Sequence, residues 1–159
     1  MTAPRGPGQR AGISRELVLG HAVRLAERDG VEGLSMRRLA AELGAAPNAL
    51  YTYFPTKRAI LDAVRDAVLG EIAIQDVQGG EGASDWRDGL ATLMRASRAL
   101  ILAHPRLAPI FLAGEPGPNA IRLGEATLQL LARGGVRAAV AASATRALLA
   151  YTLGFAAIA

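Results

Sequence analysis

Cysteine is absent from the 159-residue chain, histidine occurs only as His21 and His104, and Lys57 is the only lysine. The first absence removes disulfides, thiolate metal sites and cysteine nucleophiles together, and it suits a reducing cytoplasm. Two imidazoles are too few for a histidine-rich metal centre, so no metal and no cofactor are expected. Catalytic signatures are missing too. There is no G-x-S-x-G, no H-E-x-x-H, no G-x-x-x-x-G-K, and neither histidine stands beside a plausible nucleophile. Glycines 79, 80 and 82 follow no strand pattern and read as a linker, so the chain is not expected to be an enzyme. The opening MTAPRGPGQRAG lacks the apolar core of an export signal. The longest nearly apolar stretch, 147–159, has 13 residues, short of the roughly 20 that span a bilayer. A soluble, cytoplasmic chain without a membrane partner is expected.

What is present is unevenly placed. Residues 1–58 carry nine basic side chains (Arg5, Arg10, Arg15, Arg24, Arg28, Arg37, Arg38, Lys57, Arg58) against five acidic ones (Glu16, Glu27, Asp29, Glu32, Glu42). Residues 59–159 hold nine of each, so the whole net charge of +4 sits in the N-terminal third. A polyanion would be met there. The strong preference for arginine over lysine is read as general composition and carries no function of its own.

Periodicity assigns helices throughout. Ser14 offers an N-cap, and Leu17, Val18, Ala22, Leu25 and Ala26 recur at helical spacing up to Gly30. Ser35 caps a shorter helix carrying Met36, Leu39, Ala40 and Leu43, which Gly44 stops. Pro47 suits the first position of a third helix, which must end near Phe54, ahead of Pro55. Thr56 opens a fourth, with Ile60, Leu61, Val64, Val68 and Ile72 on one face. After the loop QGGEGAS (78–84), a long helix runs from Trp86 to His104–Pro105. LAPIFLA (107–113) and the loop GEPGPN (114–119) follow. Another helix, marked by Ile121, Leu128 and Leu131, ends at Gly134–Gly135, and a last one starts near Val136. No stretch alternates like a strand. The fold is expected to be all-α: a three-helix head followed by a helical body.

Residues 35–54, SMRRLAAELGAAPNALYTYF, have the logic of a helix-turn-helix. Ala40 is small enough for two helices to cross closely, and Gly44 can take the positive φ of a tight turn. Leu39, Leu43, Leu50 and Phe54 are assigned to the core. The third helix then offers Pro47, Asn48, Ala49, Tyr51, Thr52 and Tyr53 to a major groove.

At this point the chain resembles the TetR family of repressors. The likeness rests on AERDGVEGLS, MRRLAAELG and LYTYFPTKRAIL, and it is strong over residues 13–65. HPRLAPIFLA and GPNAIRLGEATLQLLARGG are similar to segments of some members' ligand domains. The resemblance implies that Arg37 reads a base edge, although a solvated arginine is the plainer alternative. It places Asn48 and Ala49 at the base-facing start of the reading helix, Asn48 alternatively only supporting that start. Tyr51, Tyr53 and Lys57 match positions that grip phosphates, Tyr51 alternatively being a packing residue. Ser35 and Arg38 complete the expected DNA-binding set. Ala46 departs from the family's usual Ser or Thr cap, and Pro47 compensates by fixing φ.

The resemblance further implies a double-stranded DNA operator, a small-molecule inducer and a homodimer through the C-terminal helix. With few charges inside the body helices, the inducer is expected to be apolar. Met94, His104, Phe111 and Tyr151 are the favoured pocket residues, with core packing as the alternative. The expected organisation is a basic arm (1–12), a helix-turn-helix domain (13–57), a connecting helix (58–79) and a ligand and dimerisation domain (80–159). That last domain is expected to lack the family's final helix. The rival reading is a helical protein-interaction module, or a shortened regulator, that no longer binds DNA.

Overall fold

The computed structural model describes residues 13–74, 85–111 and 114–157. The expected basic arm and the 78–84 linker lie outside these. Among the described residues there are eight α-helices and no strand. Helix α1 (Arg15–Gly33) starts at Ser14, whose hydroxyl accepts from the Leu17 N–H at 3.1 Å, and it kinks at Gly30, where φ is 78°. Helix α2 (Met36–Glu42) is capped by Ser35, which accepts from Arg38 N–H at 3.2 Å. Gly44 turns the chain with φ 62°, and the Ala45 N–H closes back on the Ala40 carbonyl at 2.9 Å. Helix α3 (Pro47–Tyr51) begins on Ala46 without a side-chain cap, Pro47 filling the first position. Tyr53 and Phe54 N–H groups still bond the Leu50 carbonyl, so helical bonding does run to Phe54.

Thr56 caps α4 (Lys57–Leu69), accepting from Ala59 N–H at 3.0 Å. The body comprises α5 (Trp86–Ala103), a 3₁₀ turn (Pro105–Leu107), α6 (Ala108–Phe111), α7 (Pro118–Arg133) and α8 (Ala138–Ala157). Helices α5, α7 and α8 pack on one another, while α4 lies between α1 and the α6–α7 side of the body. Val18, Leu25, Leu39, Leu50 and Phe54 from the head and Leu93, Ile101, Leu107, Leu123 and Leu130 from the body join one continuous apolar cluster. The burial of these side chains, worth about 1.5–3 kcal/mol each, supplies the main driving force.

Some of the residues that mark these helices lie on their outer sides: Leu17, Ile121 and Leu128 are exposed. Helix α7 is apolar on two sides, and Leu123, Ala126, Leu130 and Leu131 form the side that is buried. Val136 precedes α8 because its N–H closes the turn after α7, bonding the Leu131 carbonyl at 3.1 Å. The count of 13 apolar residues also understates α8. Residues Ala138–Ala156 have a mean hydropathy of 1.3 over a membrane-span window, of which 17% is buried in the chain. By length and composition alone this helix could cross a bilayer.

The end of α1 is clamped to α2 by charges. Arg28 Nη2 lies 3.0 Å from Asp29 and 2.5 Å from Glu42, and Arg38 Nη2 lies 2.5 Å from Asp29. The Arg28 hydrogen bond, helped by the charges of Arg28 and Arg38, holds the Asp29 carboxyl below the usual carboxylate range. Its ionised form is therefore favoured in the folded chain. That stabilisation is complete above the ordinary aspartate value of about 3.9 and is lost as pH falls through the lower folded value. Asp29→Asn is expected to lower the melting temperature at neutral pH, and the gap from wild type should shrink in melts taken at successively lower pH. A gap independent of pH would show that ionisation is not its source. Gly44 gives a second test. A Cβ there would meet nothing within 4 Å, so Gly44→Ala isolates backbone strain. Urea unfolding should show a loss of about 1–2 kcal/mol, and Gly44→Asn a smaller one.

Candidate nucleic-acid interface

The turn at Gly44 is what sets the interface. It folds α3 across α2 so that Leu39, Ala40 and Leu50 are fully buried while the opposite side of α3 faces outward. Pro47, Asn48, Tyr51 and Thr52 are exposed and Ala49 is half-buried. Tyr51 is 47% accessible despite its ring, so it does not pack in the core. Arg37 stands exposed on α2, and among the described residues it has no hydrogen-bond or ion-pair partner. Lys57 sits half-buried as the first residue of α4. These side chains carry amide, hydroxyl, guanidinium and ammonium groups, a chemistry suited to base edges and phosphates.

Three of the expected residues have other commitments in this conformation. The Ser35 hydroxyl is occupied as the cap of α2. Arg38 donates to the Gly33 carbonyl at 3.0 Å as well as to Asp29, so its guanidinium is turned toward α1. The Tyr53 hydroxyl donates to the Ile13 carbonyl at 2.8 Å and is partly buried. Arg38 and Tyr53 thus brace the reading helices from behind. Sequence periodicity does not reveal this, because both bonds reach residues outside the helix-turn-helix itself. Arg15, whose guanidinium lies 4.7 Å over the Phe54 ring, is a further cation beside the head core that the motif did not single out.

The four pocket candidates are not brought together. Phe111 is buried and lines a cavity of about 130 Å³ with Arg65, Leu69, Leu123, Leu149 and Leu153. Met94 is half-buried between α5 and α8, and its sulfur accepts from the Thr152 hydroxyl at 3.4 Å. His104 ends α5 and stands between two carboxylates, Nδ1 3.0 Å from Glu27 and Nε2 3.4 Å from Glu71. It borders a separate opening of about 240 Å³ beside Arg106. Tyr151 corrects the expectation most clearly. It is 72% accessible and stacks on Phe155, with centroids 5.9 Å apart, on the outer side of α8.

The residues that sequence reasoning missed are Arg65, Asp66 and Asn119. Asp66 Oδ1 accepts from the N–H groups of Asn119 and Ala120 at 3.0 and 3.1 Å, and the Asn119 amide returns to the Asp66 carbonyl at 3.0 Å. A signal was available. Arg65 falls between Leu61 and Leu69 on one row of α4, where a charge needs a reason to be, whereas Asp66 lies on the side away from Val64 and Val68 and gave no such sign.

Comparison with known proteins agrees with this geometry. Residues 18–64 match the family described as bacterial regulatory proteins, tetR family, and residues 78–158 match the tetracyclin repressor-like C-terminal domain. An HTH-type transcriptional regulator of Saccharopolyspora erythraea is 35% identical over 144 residues, which cover 89% of this chain and 59% of that relative's length. The Streptomyces coelicolor TetR family protein ActR, solved in complex with actinorhodin, superposes with a TM-score of 0.83 at 30% identity, covering 92% of this chain and 68% of that one. BioQ, solved with its double-stranded DNA operator, superposes with a TM-score of 0.79 at 28% identity, covering 92% and 87%. Both parts of the chain, the reading head and the helical body, are thus matched, and the chain belongs to the TetR family of bacterial regulatory proteins.

Proposed function

We propose that the chain is a sequence-specific DNA-binding transcriptional regulator, a ligand-responsive repressor that acts in the cytoplasm as a dimer on a palindromic operator. The observation that carries this reading is the outward face of α3, with Asn48, Tyr51 and Thr52 exposed beside Arg37. Asn48 reads an adenine edge, the Ala49 methyl touches thymine and Arg37 grips a guanine, each good bidentate pair being worth about 1–3 kcal/mol. Tyr51 and Lys57 hold phosphates, with Lys57 at the N-terminal end of α4 where backbone N–H groups also point outward.

BioQ with its operator and ActR with actinorhodin supply the analogy for the two partners, duplex DNA and a small molecule. The second copy is read from α8. Val140, Tyr151 and Phe155 are exposed along it, an apolar surface that a twin helix would cover. Two heads then sit about 34–36 Å apart to enter successive major grooves. A ligand in the body moves α4 and changes that spacing. A coupling of about 1–3 kcal/mol would shift DNA affinity some 5- to 150-fold.

The test is a mobility shift on DNA flanking the chain's own gene, at two salt concentrations and with competitor. Sequence preference and a steep salt slope are expected. Binding without preference, or none at all, would support the helical interaction module. Arg37→Ala should lower specific more than non-specific affinity, and equal loss of both would argue against base reading. Lys57→Ala should weaken all sequences alike and reduce the salt slope by about one.

A further inference from the structure

We propose that Arg15, in the first turn of α1, is a DNA-phosphate contact of the reading head, and that Tyr53 is the positioning residue that holds it there. This rests on the DNA-binding reading of the head and adds to it a residue outside the helix-turn-helix. The start lies in the backbone. Helix α1 takes its first bonds from Ser14, whose carbonyl accepts from the Val18 N–H at 3.0 Å and whose hydroxyl accepts from the Leu17 N–H. The Ile13 carbonyl therefore lies outside the helix, and the Tyr53 hydroxyl donates to it at 2.8 Å. A phenol has one proton to donate, and the phosphate oxygens of DNA only accept. With that proton on Ile13, Tyr53 has none for a phosphate, the role that the family resemblance implies for it.

The same bond brings the first turn of α1 to the C-terminal end of the reading helix. There the Arg15 guanidinium lies 4.7 Å over the Phe54 ring. Phe54 is buried, while Arg15 is exposed. Stacking uses the flat face of a guanidinium and leaves the N–H groups around its edge to fork onto a phosphate, a combination that lysine lacks. Glu16, the adjacent acid, is held below the usual carboxylate range first by its own backbone N–H and then by the Ser14 hydroxyl, with the Arg15 charge a smaller influence. That carboxylate is taken up at the start of α1, and Arg15 is the group that a phosphate meets.

Chain order gives the contact its consequence. Tyr51 and Thr52, both exposed, stand immediately before Tyr53 and Phe54, and Lys57 opens α4 three residues after Phe54. Arg15 is thus held against the stretch that joins Tyr51 to Lys57, the two residues read as phosphate contacts. A guanidinium there extends the grip on the duplex without reading its sequence, since phosphate contacts position a protein and base contacts specify it.

The experiment measures binding of the intact chain to a duplex of arbitrary sequence, by fluorescence anisotropy over a series of salt concentrations, because a phosphate contact needs no operator. Arg15→Gln should weaken binding about tenfold at low salt, the effect of one charge-assisted contact. It should also reduce the slope of log affinity against log salt by about one, and Arg15→Lys should keep that slope. Arg24 is an exposed arginine about 13 Å further along α1. Arg24→Gln should leave the slope unchanged, which separates a contact from a general loss of charge. Tyr53→Phe should weaken binding only while Arg15 is present, so its effect disappears in the double variant with Arg15→Gln. Should Arg15→Gln fail to fold by circular dichroism, Arg15→Met, which covers Phe54 without a charge, is read by the same slope. The proposal is overturned if the uncharged variant keeps the wild-type slope, if Arg15→Lys lowers it, or if Arg24→Gln reduces it equally. It is also overturned if the losses at Tyr53 and Arg15 add, as they would for a hydroxyl that grips DNA by itself. A wild-type chain that binds no duplex overturns the DNA reading as well, whereas a wild-type slope shared by Arg15→Gln overturns this proposal alone.

Discussion

A single carboxylate, that of Asp66, ties helix α4 to the start of α7. Helix α7 begins without a cap of its own: Gly117 has no side chain to offer and Pro118 no N–H. Its first free N–H groups, on Asn119 and Ala120, are satisfied by Asp66 from α4, more than fifty residues earlier. Unpaired, such groups would be costly in a partly buried place. The other side of α4 inserts Ile60, Val64 and Val68 into the core shared with the head. Helix α4 is therefore held by apolar contact on one side and by charge on the other, and it cannot turn without uncapping α7. The close fit of the 114–117 loop follows from this. A Cβ at Gly114 would strike Asp62 and Arg65, and one at Gly117 would strike Asp66.

A second tie lies on the far side of the head. Arg106, in the 3₁₀ turn, donates to the Arg28 carbonyl at 3.0 Å, while His104 stands between Glu27 and Glu71. These contacts are partly exposed and individually weak, since exposed ion pairs contribute little. Hydrogen bonds worth about 0.5–1.5 kcal/mol each add only small increments here, and the apolar cluster supplies the cohesion between head and body.

Much of this was legible from residue order because the signals were local. Ser14, Ser35 and Thr56 each cap the helix they precede, Gly44 takes the positive φ the turn needs, and Pro47 opens α3. Each is decided by a residue and its neighbours within one turn. The outward face of α3 follows from the same spacing, since burying Leu39 and Leu50 leaves Asn48 and Tyr51 no inward place. What stayed hidden is non-local. Nothing near Tyr53 announces the Ile13 carbonyl, forty residues back, and nothing near Arg38 says that its guanidinium turns to Asp29. The body was harder still. Leucine and alanine recur on several faces of α7, so periodicity could not tell Leu123, which is buried, from Ile121, which is not. The pocket candidates were chosen for size and softness, whereas the cavity is marked by a charge, Arg65, in an apolar face.

Helix α8 shows why hydropathy alone is ambiguous. An average over 19 residues meets the measure of a membrane span, but an average carries no direction. Around the helix the sides differ. Ala141, Thr145 and Ala156 are buried in the chain, while Val140, Tyr151 and Phe155 face outward. Arg146 lies near the middle of the run, exposed and bonded to the Ser143 hydroxyl at 3.3 Å. Placed at the centre of a bilayer, that guanidinium would cost at least about 2.5 kcal/mol, with no water to receive it. Against a protein surface the same side chain reaches the rim, and the stacked pair Tyr151–Phe155 supplies the kind of aromatic anchor that helix–helix interfaces favour. Burial on one side and a charge near the middle thus set α8 apart from a uniformly apolar span, a difference that an average along the helix does not reveal.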